Sequence, residues 1–226
     1  MKIVIKRFVA YAIDILIVSI ISSLITSNTL INKNYNKYMD TYKEYENISD
    51  KYESEKINLQ DALEYEAITE QEYDIKLEKL NDSFNEDNVN YNYKLIKLSI
   101  VATIVSILVI LLYFVVIQYY FNGQTIGKKI MKLRIISKND KKLGILNYLI
   151  RSLILNSVLI NTLSIIMIFA LSKSNYLIYN KIIYVINYAI ETAIIFMMGF
   201  TKDHRGLQDY VANTKVIYEG EKYEVQ

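Results

Sequence analysis

Cysteine, proline and tryptophan are absent from the 226 residues, and the one histidine is His204. Without cysteine there can be no disulfide, no thiolate metal site and no cysteine nucleophile. His204 stands between Asp203 and Arg205 with no second ligand or Ser/Cys nucleophile signature nearby. Zinc and catalytic centres need several convergent groups, so His204 reads as a surface residue. The chain is therefore expected to be no enzyme and to hold no metal or cofactor. Glycine is scarce, at six residues, whereas tyrosine is abundant, at 21. The excess of Ile, Lys, Asn and Tyr fits an A+T-rich genome, so a single Tyr or Asn carries little information here.

Charge of one sign is not in excess overall, since the net charge is only +2. It is strongly segregated along the chain. Four apolar segments, residues 8–31, 96–121, 145–171 and 182–200, each have about the 17 to 25 residues, or slightly more, that a membrane-spanning helix needs. The N-terminus carries Lys2, Lys6 and Arg7, and residues 122–144 carry six Lys and Arg134 against Asp140 alone. By the positive-inside rule both belong on the cytoplasmic side. Residues 32–95 hold eight Lys, no Arg and sixteen acids, and so belong outside. The tail, residues 201–226, opens with Lys202 and Arg205 and belongs inside. The expected fold is all-α with four transmembrane helices, both termini cytoplasmic, and a short outer loop at residues 172–181.

The first apolar segment has Asp14 as its only charged side chain. Lys2, Lys6 and Arg7 ahead of it resemble the start of a signal peptide. The segment is too long for one, carries Asp14, and lacks a small-residue cleavage site at its end, so an uncleaved helix is expected. Arg7 and Asp14 are seven residues apart, which places them within roughly 20° on one helical face. A charge at that depth usually faces the bundle interior and pairs or lines a pathway.

Residues 32–95 have aromatic and aliphatic residues at heptad-like spacing. Tyr35, Tyr38, Tyr42, Tyr45, Tyr52, Leu59 and Leu63 form one series; Tyr73, Leu77, Leu80, Phe84, Tyr91 and either Leu95 or Leu98 form the other. Thr69 and Glu72 between them match a capping box, which starts a helix. The pattern predicts an antiparallel, coiled-coil-like helical hairpin outside the membrane, serving as a spacer or as a docking surface for a partner or a second copy.

The inner loop begins Gly123-Gln124-Thr125-Ile126-Gly127-Lys128-Lys129. A phosphate-binding loop needs four residues between its glycines and Ser or Thr after the Lys, so it is excluded. Thr125 reads as an N-cap for a short amphipathic helix in the inner interface, with Lys128, Lys129, Lys132 and Arg134 placed to meet anionic lipid headgroups. Basic residues against a membrane without interleaved aromatics do not point to nucleic acid. Residues 132–137 and 214–218 are rich in β-branched residues and could pair as a small cytoplasmic sheet, with Asn139-Asp140 as a turn.

Beyond Asp14, the deepest charges are Arg151 and Glu191. At 1.5 Å per residue they lie about 9 and 13 Å from the cytoplasmic ends of the third and fourth segments. Depth therefore puts Asp14, Arg151 and Glu191 in one layer, either as a structural pair of Asp14 with Arg151 or as a cation or proton site with one surplus carboxylate.

The sequence resembles the RDD family of bacterial membrane proteins, named for an Arg and two Asp. The resemblance is carried by Arg7, Ala10 and Asp14, by Gly123, Thr125, Gly127 and Lys128 with residues 132–136, by Arg151, and by residues 205–216 with Arg205 and Asp209. It implies that Asp209 is the second signature aspartate, close enough to the membrane to pair with Arg7 or with the lysine-rich loop, in a bacterial plasma-membrane protein. The family's first two helices usually have a shorter connection, which leaves residues 32–95 as an addition. Two functions follow as expectations: a small, oligomeric transporter of cations, protons or small solutes using the charge layer, or a scaffold that engages a partner membrane protein through the acidic hairpin.

Overall fold

A computed structural model describes residues 2–139 and 142–219 of the chain. The elements in order are α1 (Lys2–Thr26), α2 (Tyr35–Glu64), α3 (Glu70–Leu111), a π-helical turn (Leu112–Ile117), α4 (Gln118–Tyr120), α5 (Ile126–Ile130), β1 (Leu133–Ser137), α6 (Ile145–Leu155), α7 (Val158–Ala170), α8 (Lys173–Phe200), α9 (Leu207–Val211) and β2 (Thr214–Tyr218). The protein is mostly helical. Three helices, Ile3–Thr26, Glu70–Tyr120 and Lys173–Phe200, are long and apolar enough to cross a membrane. A fourth crossing is available if α6 and α7, bent by 66° at their junction, count as one span.

Boundaries differ from the apolar runs in three places, each for a local reason. The first helix stops at Thr26, five residues before the run ends, because Asn28 closes a turn by accepting the Leu30 N–H through its side chain at 2.9 Å. The expected outer loop at residues 172–181 is helical instead. Residues 173–181 contain neither Gly nor Pro, so nothing stops α8 from beginning at Lys173 directly after Ser172. The third run is not one helix. Ser157 adopts the left-handed region with φ 53°, which ends α6 and restarts the chain as α7.

Two compact units are present, residues 27–101 and residues 1–26 with 102–226. In the first, α2 meets the early part of α3 through tyrosines. Tyr52 donates to Asn81 at 2.7 Å and stacks on Phe84 at 4.2 Å, and Tyr45 donates to Asn88 at 2.9 Å and tilts against Tyr91 at 6.1 Å. Seven residues forward on α2 match seven back on α3, so the strands of contact run antiparallel. Thr69 and Glu72 form the expected capping box, the Glu72 N–H donating to Thr69 Oγ1 at 3.2 Å and the Thr69 N–H to Glu72 Oε2 at 3.0 Å.

In the second unit β1 and β2 pair antiparallel, Leu133 opposite Tyr218, Ile135 opposite Val216 and Ser137 opposite Thr214. The strand segments expected from sequence thus form a two-stranded sheet; the turn placed at Asn139-Asp140 involves Asp140, which lies outside the described residues. Leu133, Ile135 and Val216 turn one face of this sheet onto Ala10 of α1, Val115 of the π-helical turn and Tyr148 of α6. A two-stranded sheet is marginal by itself, and this packing is what supports it. Gly123, with φ 87°, leads into the sheet. A Cβ there would sit 2.3 Å from the Ile135 carbonyl oxygen, so only glycine lets the chain pass under β1.

Candidate functional site: a buried charge network and its cavity

Asp14 is fully buried, and its carboxylate is met by donors from the π-helical turn of the second span and from the loop that follows it. It accepts from Thr125 Oγ1 at 2.5 Å, from the Gly127 N–H at 2.7 Å and from Tyr113 Oη at 2.7 Å. The Lys128 ammonium lies 3.7 Å away. Thr125 caps α5 by accepting the Lys128 N–H, so Asp14 sits where a helix start concentrates free N–H groups. Gly127 makes the approach possible. A Cβ there would fall 2.1 Å from the Ala10 carbonyl oxygen and 2.8 Å from Asp14 Oδ1. Asp14 therefore ties α1 to α5.

Asp209 is the second fully buried carboxylate. It accepts from Arg7 Nη2 at 2.6 Å, from Arg151 Nη1 in close contact, and from the Gly206 N–H at 2.9 Å. Arg151 Nη1 also donates to Thr214 Oγ1 at 2.6 Å, and Arg7 Nη1 to the His204 carbonyl. Arg205 completes the arrangement by donating from Nε to the Thr214 carbonyl and from Nη2 to the Asp209 carbonyl, each at 2.9 Å. One aspartate thus joins α1, α6, α9 and the start of β2. Burial opposes ionisation of Asp209, but the guanidinium groups of Arg151 and Arg7 outweigh it and hold the carboxyl well below the usual carboxylate range. For Lys128, burial pushes the ammonium down to about 8, with Asp14 opposing the shift.

The layer expected from depth assembles only in part: Arg151 and Glu191 line one cavity, and Asp14 is not among its lining. Arg151 pairs with Asp209 rather than Asp14, because α9 folds back against α6 and brings a carboxylate closer than α1 does. Asp14 accepts three hydrogen bonds from the protein and faces the Lys128 ammonium, and Glu191 accepts from Asn187 Nδ2 at 2.8 Å on an exposed face of α8. The charge balance also changes sign. Arg7, Lys128, Arg151 and Arg205 are all buried beside two buried carboxylates, so cations rather than carboxylates are in surplus. The expected lipid contacts divide similarly. Lys129 and Lys132 are exposed, but Lys128 faces Asp14 in the interior and Arg134 pairs with Glu219 at 2.7 Å.

The break between α6 and α7 is tied to this network. Tyr11 Oη of α1 donates at 3.2 Å toward the Leu155 carbonyl and Asn156 Oδ1, and Ser157 Oγ donates to Asn187 at 2.8 Å, which in turn reaches Glu191. Beside it lies a cavity of about 170 Å³, with Arg7, Lys128, Arg151 and Glu191 among its polar wall and Phe8, Leu155, Ile195 and Met198 among its apolar wall. Among the described residues no cluster of three His, Asp or Glu could hold a metal ion. Sequence reasoning missed Tyr11, Tyr113 and Ser157. Tyr11 does lie four residues after Arg7 and three before Asp14, on their face of α1, a signal diluted by the abundance of tyrosine.

Long apolar helices with exposed apolar faces, Leu24, Phe169 and Phe200 among them, and charges gathered in one buried network define an integral membrane protein in contact with the lipid bilayer. The chain belongs to the RDD family, which matches residues 3–213, nearly its whole length. Comparison with curated proteins and with solved structures found no match. Arg7, Asp14, Gly127, Arg205 and Asp209, which carry the family resemblance, all take part in the network above.

Proposed function

We propose that this RDD-family protein is a small, non-enzymatic transporter of a small solute in the bacterial plasma membrane. It has four crossings with both termini cytoplasmic, the orientation that the Lys and Arg of residues 2–7 and 122–144 favour. Residues 32–95 then stand outside as a coiled-coil-like hairpin. The observation that carries the reading is the break at Asn156-Ser157, which opens beside the charged cavity. Discontinuous spans next to polar cavities are a recurring feature of transporter binding sites. The π-helical turn at Leu112–Ile117, adjoining Asp14 through Tyr113, is a second irregularity of the kind that marks functional sites. The two aspartates act as locks rather than as carriers, since their oxygens are already taken. One protomer leaves little room for a gated path, so the transporting unit is a homo-oligomer.

The protein donors gathered around Asp14 and Asp209 also support a second reading, a scaffold in which the network is wholly structural and the acidic hairpin engages a partner membrane protein. Exposed Lys129 and Lys132 hold anionic lipid headgroups on either reading. Flux measured in proteoliposomes separates the two. Wild type and a variant with residues 32–95 replaced by a short loop should both carry a small solute, and a variant with the cavity filled should not. If no protein form carries flux, transport fails; loss of a co-purifying partner on hairpin replacement then favours the scaffold.

A further inference from the structure

We infer that the cavity binds the oxyanion head of an anionic amphiphile, a phosphate or carboxylate carrying an alkyl chain. This deepens the transport reading, on which it rests for the role of the site. Three observations converge. Four buried cations stand against two buried carboxylates, and Glu191 at the wall is only a third, so the protein leaves positive charge uncompensated where burial makes that costly. Donors are also free. Arg151 directs Nη1 to Asp209 and Thr214, but its Nε and Nη2 donate to nothing among the described residues; the Lys128 ammonium, which donates to Thr125 Oγ1 at 3.3 Å and lies 3.7 Å from Asp14, adds positive charge to the same cavity wall. A free guanidinium edge suits an oxyanion, which accepts charge-assisted hydrogen bonds from it and is drawn by the charge of the Lys128 ammonium on the same wall.

The third observation separates an amphiphile from a free anion. Phe8 and Ile195 line the cavity and are also 39 % and 51 % exposed on the outer faces of α1 and α8. Those faces are the ones that meet lipid, so the cavity has an apolar exit from which a chain can lie along the helices. Inorganic phosphate would use the charged end alone.

The test is saturable binding to the full chain in a neutral detergent, read by calorimetry and native mass spectrometry. The probes are dodecyl phosphate, a short-chain phosphatidylglycerol, inorganic phosphate and dodecyltrimethylammonium. Dodecyl phosphate or the phosphatidylglycerol should bind one to one and at least about tenfold tighter than either of the other two. Whichever of the first two binds tighter identifies the source of the head, a simple alkyl oxyanion or a lipid. Glu191→Gln, on an exposed face, should tighten binding by roughly threefold through loss of like charge, whereas a cation site would weaken. Leu155→Trp should weaken it about tenfold or more by filling the cavity, with unchanged helical circular dichroism as the folding control. Equal or tighter binding of the cationic amphiphile, equal binding of inorganic phosphate, no saturable binding by folded wild type, or indifference to both variants overturns the inference. Binding without flux in proteoliposomes would sink the transport reading and leave the ligand class standing; flux of a small solute without binding would do the reverse.

Discussion

Asp209→Asn removes one negative charge and almost no volume from the point where Arg7 and Arg151 converge. The amide oxygen can still accept from the Gly206 N–H, so backbone pairing survives. What is lost is the counter-charge of two guanidinium groups that are each more than nine-tenths buried. Removing one partner of a buried pair costs about 3–5 kcal/mol, because the cation left behind stays desolvated. At roughly 2–4 °C per kcal/mol for a chain of this size, the melting temperature in detergent should fall by on the order of 10 °C, followed by helical circular dichroism. A double-mutant cycle with Arg7→Gln should give a coupling of about 1 kcal/mol or more. Replacing the triad together, by Arg7→Met, Arg151→Met and Asp209→Leu, should cost far less than the single change, since no orphaned charge remains. The sign with pH follows from the depressed carboxyl of Asp209: its contribution is present above the unfolded value of about 3.9 and fades as pH falls below it. The gap between wild type and variant should hold from pH 5 to 8 and narrow below about 4. A cost under about 1 kcal/mol, or a coupling near zero, refutes the reasoning.

Lys128, pushed down to about 8 by burial, penalises the folded state fully below that value. The penalty is relieved as pH rises toward its ordinary 10.5, so wild type should gain about 3 kcal/mol relative to Lys128→Met across that window, measured by melting at each pH. Gly127→Ala must push α5 off α1 and should destabilise by about 2–4 kcal/mol. Gly199→Ala meets nothing within 4 Å and should be neutral or stabilising by up to about 1 kcal/mol; a similar loss at both sites would refute the close approach at Gly127. Tyr52→Phe keeps the stack on Phe84 but loses the bond to Asn81, costing about 1 kcal/mol in hairpin stability by hydrogen exchange in α2; an unchanged exchange pattern would mean that bond carries nothing.

Features set by neighbours along the chain were legible. Thr125 and Thr69 announce helix starts through their own hydroxyls, and the β-branched stretches around Ile135 and Val216 mark strands whose partner then follows from a lack of others. Apolar length announces the spans, although it overran the first helix by the turn that Asn28 closes and missed that α8 reaches back to Lys173. The break at Ser157 had no Gly or Pro to signal it. It is held by Tyr11 and Asn187, which come from helices remote in sequence.

Periodicity and composition by themselves determined that this is a helical membrane protein with Asp14 buried in its first span, because burial of apolar surface and satisfaction of the backbone depend on local pattern. Only the tertiary structure decided which charge meets which. Depth along a helix fixes one coordinate of Arg151, but its partner depends on the direction it faces and on α9 returning to the membrane helices. That return exchanged Asp14 for Asp209, left Glu191 to Asn187, and turned a surplus of carboxylate into a surplus of cation.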